Sequence, residues 1–264
     1  MKDNNLKYLY GPVYSWRLGM SLGVDPLSDK HKICNLDCIY CQLGKTVHLS
    51  NERKVYVPTH EIINEIIGLP KMELDYITIC GRGEPTLAKN LGEIIRAIKK
   101  IRREKIAVIT NSTLMDQQEA QKDLLLADCV VAKIDAFDQV SLAAIDRSMD
   151  ELNFGKIYTG IKEFRQTYRG KLALQIMFIK ENMLYAKEIA EVVREINADE
   201  IEINTPLRPC ACASLSIDQL KEIKKQFEGM PAITVFEKDK KDYKPLNERD
   251  TIQRHGNYKA AAIC

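Results

Sequence analysis

Short apolar runs alternate with amphipathic segments along most of the chain. The apolar runs are rich in Ile, Val and Leu and are bounded by turn residues, which predicts β-strands. They cover residues 20–24, 76–80, 106–109, 129–134, 172–179 and 201–203. Between them, apolar residues recur at three- and four-residue spacing, as in Leu91, Ile94, Ile95 and Ile98, which predicts amphipathic helices. Strand and helix alternate about six times, so the predicted fold class is α/β.

The pattern leaves two arrangements of these elements open. Residues 130–132 are apolar throughout, which favours a parallel sheet covered by helices on both faces. Six strand–helix units are fewer than the eight of a closed barrel of about 250 residues, so a partial barrel and an open doubly wound sheet both fit. After Pro231, one apolar run is followed by a charged stretch and a tail. We predict one domain over residues 1–230, with a C-terminal strand and tail over 231–264 packed on it.

Composition and charge narrow the class of protein. The 264 residues are 45% hydrophobic and 29% charged, which is enough apolar material for one large core. The 39 basic and 37 acidic side chains leave a net charge of +2, which indicates no particular charged partner. No apolar run approaches the ~18 residues of a membrane span, and the first residues lack the apolar stretch of a signal peptide. We therefore predict a cytoplasmic protein without a membrane partner.

The chain has eight cysteines, and three of them lie close together in the loop after the first predicted strand. Without a secretory signal, this content favours metal binding, catalysis or burial over disulfides. The thiolates of Cys34, Cys38 and Cys41 suit zinc or an iron–sulfur centre. A structural zinc site takes four ligands, and His31 or His48 could supply the fourth, although the spacing differs from paired zinc knuckles. Three cysteines on a cubane cluster leave one iron free to bind a substrate or cofactor.

The spacing Cys-x3-Cys-x2-Cys, with Tyr40 before the third cysteine, resembles the signature of the radical S-adenosylmethionine (SAM) superfamily. Further segments resemble its wyosine-synthase-like branch, whose substrates are uncertain; they lie at residues 10–13, 17–19, 23–27, 83–87, 110–112 and 204–209. The resemblance implies a partial (β/α)6 TIM-type barrel with a short C-terminal extension. It also implies a [4Fe–4S] cluster on the three cysteines, SAM chelated to its open iron, and reductive cleavage that yields a 5′-deoxyadenosyl radical.

The resemblance also suggests which side chains contact SAM. Polar residues follow successive predicted strands, at the edge where α/β folds bind ligands. Glycine allows close approach of a ligand, and a carboxylate accepts hydrogen bonds from an ammonium group. The predicted cofactor-binding residues are Tyr40, Gly83, Glu84, Asn111, Lys133, Asp135 and Gln175. Two of these positions carry other interpretations or requirements: Gln175 as a satisfied core amide, and Lys133, inside an apolar strand, as a lysine that needs a carboxylate partner. The neighbouring Ser112 is interpreted as a helix N-cap.

The function beyond SAM cleavage stays open in the sequence. The substrate is a tRNA, a protein or peptide, or a small molecule, and no catalytic residue is assigned. Alternatives are a glycyl-radical-type activating enzyme and a non-catalytic iron–sulfur protein for electron transfer or binding. A reductant such as flavodoxin or ferredoxin is the expected partner. Cys210, Cys212 and Cys264 either hold an auxiliary cluster, donate a hydrogen atom or are incidental, while Cys80 and Cys129 are expected to be core residues.

Overall fold

The computed structural model describes residues 6–238, 241–257 and 259, and its main feature is an eight-stranded sheet in the order β1-β2-β5-β6-β7-β8-β9-β10. The strands are β1 (Leu9–Ser15), β2 (Gly19–Val24), β5 (Tyr76–Ile79), β6 (Lys105–Thr110), β7 (Cys129–Lys133), β8 (Lys171–Met177), β9 (Glu200–Asn204) and β10 (Ala232–Thr234). Two short strands, β3 (Ile33–Cys34) and β4 (His48–Leu49), form a separate parallel pair.

Eight α-helices accompany the strands in the described part of the chain. They are α1 (Thr59–Ile67), α2 (Leu91–Ile101), α3 (Gln118–Leu124), α4 (Gln139–Ser141), α5 (Phe154–Thr167), α6 (Ala186–Arg194), α7 (Ile217–Lys225) and α8 (Glu248–His255). In α2, the predicted apolar stripe is buried and the basic residues Lys99 and Lys100 occupy the last turn, where cations suit the helix dipole. None of the helices in these ranges is long and apolar enough to cross a membrane.

The strand order decides between the two arrangements that the pattern allowed. From β2 to β9 the neighbours of the main sheet follow the order of the chain, and every pair is parallel. A doubly wound sheet reverses its order at a switch point, whereas a barrel does not. The six predicted strands are therefore those of a partial (β/α)6 barrel, which confirms the predicted fold class. Within the described residues, β1 and β10 are the edges of the sheet.

Both edges are formed by segments near the chain ends. Strand β1 was not predicted, because Gly11 and Pro12 within it are typical of turns. It pairs antiparallel with β2, and an irregularity between Tyr10 and Val13 accommodates those two residues. The C-terminal part packs along it, since the Leu246 amide donates to the Gly11 carbonyl at 2.7 Å. Strand β10 extends the same sheet beside β9, and the boundary at residue 230 stays a prediction.

Candidate functional site

The three predicted cluster ligands lie in a loop that other backbone segments hold on two sides. On one side, the Glu84 amide donates to the Ile33 carbonyl at 3.0 Å, directly before Cys34. On the other side, the amides of Asp37 and Ile39 donate to the carbonyls of residues 146 and 145, each at 3.0 Å. Those carbonyls belong to a π-helical turn, Leu142–Asp146. π-Helical turns are rare in proteins, and those that occur often lie at functional sites.

Each of the three sulfur atoms has its own nitrogen donor nearby. Lys32 Nζ lies 3.0 Å from Cys41 Sγ, Lys133 Nζ lies 3.7 Å from Cys38 Sγ, and Asn111 Nδ2 lies 3.6 Å from Cys34 Sγ. Burial raises the pKa of Cys34 to about 11 and that of Cys38 well above its usual value, while the two lysines act in the opposite direction. In the described residues, no three His, Cys, Asp or Glu side chains are placed to hold a single metal ion.

A buried ionic network contacts the loop that carries Cys34, Cys38 and Cys41, which we call the cluster loop. Lys133 Nζ lies 2.9 Å from Asp135 Oδ2 and 2.5 Å from Asp146 Oδ1, and the Tyr40 hydroxyl donates to Asp135. The carboxylates raise the pKa of Lys133 well above its usual value, although burial of the ammonium opposes the shift. The prediction that Lys133 needs a carboxylate partner is confirmed. Its partner Asp146, outside any predicted strand, carried no signal in the sequence.

A second network joins the loop to the end of β6. Asn111 Nδ2 donates to Asn35 Oδ1 at 2.8 Å, and Asn35 Nδ2 donates to Thr113 Oγ1 at 2.7 Å. The backbone N–H of Asn111 donates to Glu84 Oε2 at 2.5 Å. Asn111 therefore contacts both Cys34, a predicted cluster ligand, and Glu84, predicted to bind SAM.

Glu84 is buried, and its carboxylate accepts four hydrogen bonds from the described residues. Oε1 accepts from the Thr86 amide at 3.0 Å, from the Thr86 hydroxyl at 2.6 Å and from Thr110 Oγ1 at 2.7 Å. Oε2 accepts only the Asn111 bond among the described residues. A carboxylate oxygen has two lone pairs, so Oε2 keeps room for one more donor.

The predicted glycine-rich turn packs closely against other parts of the protein, a backbone carbonyl at Gly83 and a side chain at Gly81. A Cβ on Gly83 would lie 1.7 Å from the Ile33 carbonyl oxygen, and one on Gly81 would lie 2.3 Å from the Asp25 carboxyl carbon. Gly83 therefore allows the turn to pair with the strand that carries Cys34. Arg82 stabilises the loop that precedes β3, because its guanidinium donates to the carbonyls of residues 29 and 30 at 3.0 Å.

Ser112 is not the N-cap of the next helix, because α3 begins at Gln118 and is preceded by Gln117. The serine adopts φ +70° and is fully buried, and its hydroxyl has no hydrogen-bond partner among the described residues. Buried hydroxyls are rarely left unpaired. This one lies beside Asn111 at the carboxyl edge of the sheet, where a bound polar ligand would satisfy it.

Gln175 lies opposite the predicted residue Lys133 on the neighbouring strand, and its side chain contacts Arg17, which the sequence did not single out as a site residue. Arg17 Nη2 donates to Gln175 Oε1 at 2.9 Å, and Arg17 Nε lies 2.7 Å from Glu202 Oε2. Arg17 precedes β2, whereas Gln175 and Glu202 are on β8 and β9. The pair therefore crosses the interior between the two ends of the open barrel. Gln175 Oε1 therefore has a partner within the protein, which fits the interpretation as a core amide, and its contact with SAM stays a prediction.

Glu202 makes the stability of the fold depend on pH. Burial raises its pKa from 4.5 to about 7, against the opposing charge of Arg17. A carboxyl that holds its proton more tightly in the folded chain favours folding below its unfolded pKa, and this contribution is lost as the pH rises through about 7. Between pH 4.5 and 7 we expect wild-type unfolding free energy to fall by about 3 kcal/mol relative to Glu202→Gln. Urea unfolding of both proteins across this pH range measures the difference in unfolding free energy. Parallel plots of unfolding free energy against pH would contradict the prediction.

The remaining cysteines fall into three groups. Cys129 is buried in β7, as expected, whereas Cys80 is only partly buried and lies 2.6 Å from the Tyr10 hydroxyl oxygen. Cys210 and Cys212 pack in the same small cluster as Cys38. Cys264, the third predicted member of an auxiliary set, lies outside the described residues.

Known proteins resemble the chain in sequence and in structure. The family model described as Radical SAM superfamily matches residues 30–195. UPF0026 protein slr1464 of Synechocystis sp. is 39% identical over 202 residues, which are 76% of this chain and 76% of that protein. The solved structure of TYW1 with a lysine–pyruvate adduct bound has a TM-score of 0.63 at 16% identity, covering 87% of this chain and 79% of its own. Streptococcus suis SuiB bound to S-adenosylmethionine gives 0.60 at 15% identity, covering 77% and 48%.

Proposed function

The chain belongs to the radical SAM superfamily, and from this premise we propose that it reductively cleaves SAM at a [4Fe–4S] cluster held by Cys34, Cys38 and Cys41. The 5′-deoxyadenosyl radical then takes a hydrogen atom from a substrate. One observation carries the proposal: three cysteine sulfurs in one loop each have a separate nitrogen donor, from Lys32, Lys133 and Asn111. Hydrogen bonds to the sulfurs are one of the means by which proteins tune iron–sulfur centres.

The residues around the loop fit a thiolate-ligated cluster. When bound, the cluster would supply the electron that breaks a carbon–sulfur bond of SAM. The ammonium groups of Lys32 and Lys133 would offset the negative charge of the thiolates, and burial around Cys34 and Leu36 would keep water away. The contacts from the π-helical turn would hold the loop in one conformation.

The edge formed by β5, β6 and β7 would bind SAM. Glu84 Oε2 has room for a donor such as the methionine ammonium group, and Ser112 has a buried hydroxyl without a partner in the described chain. Asn111 lies between them and the cluster loop. A protein of similar fold, SuiB, is known with S-adenosylmethionine bound, which supports the same ligand here. Gly83, Lys133 and Asp135 would support this site through the protein contacts described above.

The electron source and the substrate are parts of the same proposal. Flavodoxin or ferredoxin would reduce the cluster, and the enzyme would act in the cytoplasm. The substrate remains a tRNA, a protein or a small molecule, because the likeness to TYW1 is at 16% identity and extends to the fold alone.

The proposal predicts SAM cleavage by purified protein. After anaerobic reconstitution with iron and sulfide, addition of dithionite and SAM is expected to release 5′-deoxyadenosine, measured by liquid chromatography with mass detection. Omitting dithionite should prevent the release, because the cleavage is reductive. A brown, fully loaded protein that releases none would show a cluster used only for electron transfer or binding, whereas colourless protein with bound zinc would show a structural site.

A further inference from the structure

Within residues 6–238, 241–257 and 259, no carboxylate pairs with the guanidinium of Arg208. It lies in the segment after β9, where Gln42 Oε1 accepts from its backbone amide at 3.0 Å and from its Nε at 2.8 Å. Its Nη1 lies 2.7 Å from His255 Nε2 and 2.9 Å from Nδ1. Among the described residues, Nη2 has no hydrogen-bond acceptor and no carboxylate makes an ion pair with the group. A guanidinium has five N–H donors in a rigid fork. Nε and Nη1 are engaged here, so among the described residues the two N–H groups of Nη2 remain open.

The charges around Arg208 do not neutralise it. Burial and, to a smaller extent, the nearby positive charge of Arg17 together lower its pKa from 12.5 to about 10. Burial and the two arginines also lower the pKa of His255 well below its usual value, so the imidazole is neutral. Tyr10 and Cys80 are neutral because burial raises the pKa of each, and the phenol of Tyr243 also lies nearby. The nearby carboxylates pair with other arginines in the described residues, Glu202 with Arg17 and Asp25 with Arg254.

Two cationic groups therefore face one carboxylate in the interior of the barrel. A partly buried charge without a counterion is unfavourable unless a group of opposite charge pairs with it. A planar fork with open donors matches the oxygens of a carboxylate or a phosphate. Gln42 immediately follows the cluster ligand Cys41, so the open guanidinium is tied to the cluster loop and lies on the side of the barrel where the proposed reaction takes place.

We propose that Arg208, assisted by Arg17 and the neutral His255, binds an oxyanion, either a carboxylate or a phosphate, that belongs to the substrate. The site is closed on one side by α8, whose last residue is His255 and which packs along β1. This inference deepens the proposed function and rests on it only in assigning the anion to the substrate. It favours an acidic substrate over an uncharged one.

The experiment measures anion binding and needs no turnover. The full-length, anaerobically reconstituted protein is titrated with inorganic phosphate and with malonate in a calorimeter, at constant ionic strength set with chloride. Wild type is expected to bind at least one of them saturably. Arg208→Gln should weaken that binding at least about tenfold, because it removes a charge-assisted forked contact. The control Arg165→Gln, which removes an arginine paired with Asp199 on the outer surface, should bind as wild type does.

A second variant covers the case in which Arg208→Gln does not fold, as judged by circular dichroism. Arg208→Lys keeps the charge but lacks the fork, so it should bind more weakly than wild type. The relative affinity for phosphate and malonate identifies the substrate group. Failure of wild type to bind either anion, or equal binding by wild type and the folded Arg208 variants, would overturn the proposal. SAM cleavage is measured separately, so a protein that binds the anion but releases no 5′-deoxyadenosine would refute the proposed function alone.

Discussion

Replacing Cys34, Cys38 or Cys41 by alanine, one at a time, is expected to abolish both the iron–sulfur absorbance and the release of 5′-deoxyadenosine. Each cysteine would supply the sole protein ligand to one iron, and the open iron already lacks one. Replacing any one of the three cysteines would leave the cluster with only two protein ligands. The measurement is iron and sulfide content per chain after reconstitution, followed by the SAM cleavage assay.

The matched control is Cys129→Ala. Cys129 is 1% exposed and lies in β7, away from the cluster loop. Its loss leaves a small cavity, for which about 1 kcal/mol of stability is expected to be lost, and cluster content should equal that of wild type. Cys80→Ala should also keep the cluster. A Cys38→Ala protein that retained full iron content and activity would show that the loop does not hold the cluster as proposed.

Lys133→Met is expected to destabilise the folded protein by about 3–5 kcal/mol, because it leaves Asp135 and Asp146 buried without their cation. The lysine side chain is 14% exposed and the two carboxylates are 0% and 2% exposed, so water does little to screen the loss. Urea unfolding at pH 7 measures the change. Because the network also holds Tyr40 in the cluster loop, the variant should retain less iron after reconstitution.

The control for this prediction is Lys162→Met. Lys162 pairs with Glu195 on the surface at 2.9 Å, and exposed ion pairs contribute little to stability. Its unfolding curve should overlay that of wild type. A second variant, Lys133→Met with Asp146→Asn, removes one of the unpaired charges and should recover part of the loss. If the unfolding free energy of Lys133→Met lies within about 1 kcal/mol of the wild-type value, the network contributes less to stability than its burial indicates.

Most of the fold could be predicted because its signals are local. Strands β2 and β5 to β9 appear as short apolar runs, and their bounds lie within two residues of the predicted ones. Strand β1 was missed because Gly11 and Pro12 within it are residues that usually interrupt strands, and here an irregular pairing with β2 accommodates them. Helix α8 was missed because it has few apolar residues; its buried positions are Asp250, Thr251 and Arg254.

The site was predicted in part. The cysteines, Glu84 and Asn111 occur in short motifs, and the structure places Asn111 in contact with Cys34 and Glu84; the ligand roles of these residues stay predictions. Asn35 and Arg17 were not singled out because their partners lie 76 and 158 positions away, and Asp146, 13 positions from Lys133, stands in no motif or predicted strand. Gln175 was expected to meet SAM, and the structure pairs it with Arg17. The assignment of SAM contacts to individual residues stays a prediction.

The sequence by itself determined the α/β class, the count of six strand–helix units and the cysteine loop, because periodicity and spacing depend on neighbours in the chain. The tertiary structure alone decided that the sheet is a partial barrel, that the carboxylate partners of Lys133 are Asp135 and Asp146, and that Arg208 has none in the described residues. These outcomes depend on how distant segments meet: Arg17 and Gln175 are 158 positions apart. Burial and charge compensation at such contacts follow from the strand order, which no local pattern encodes.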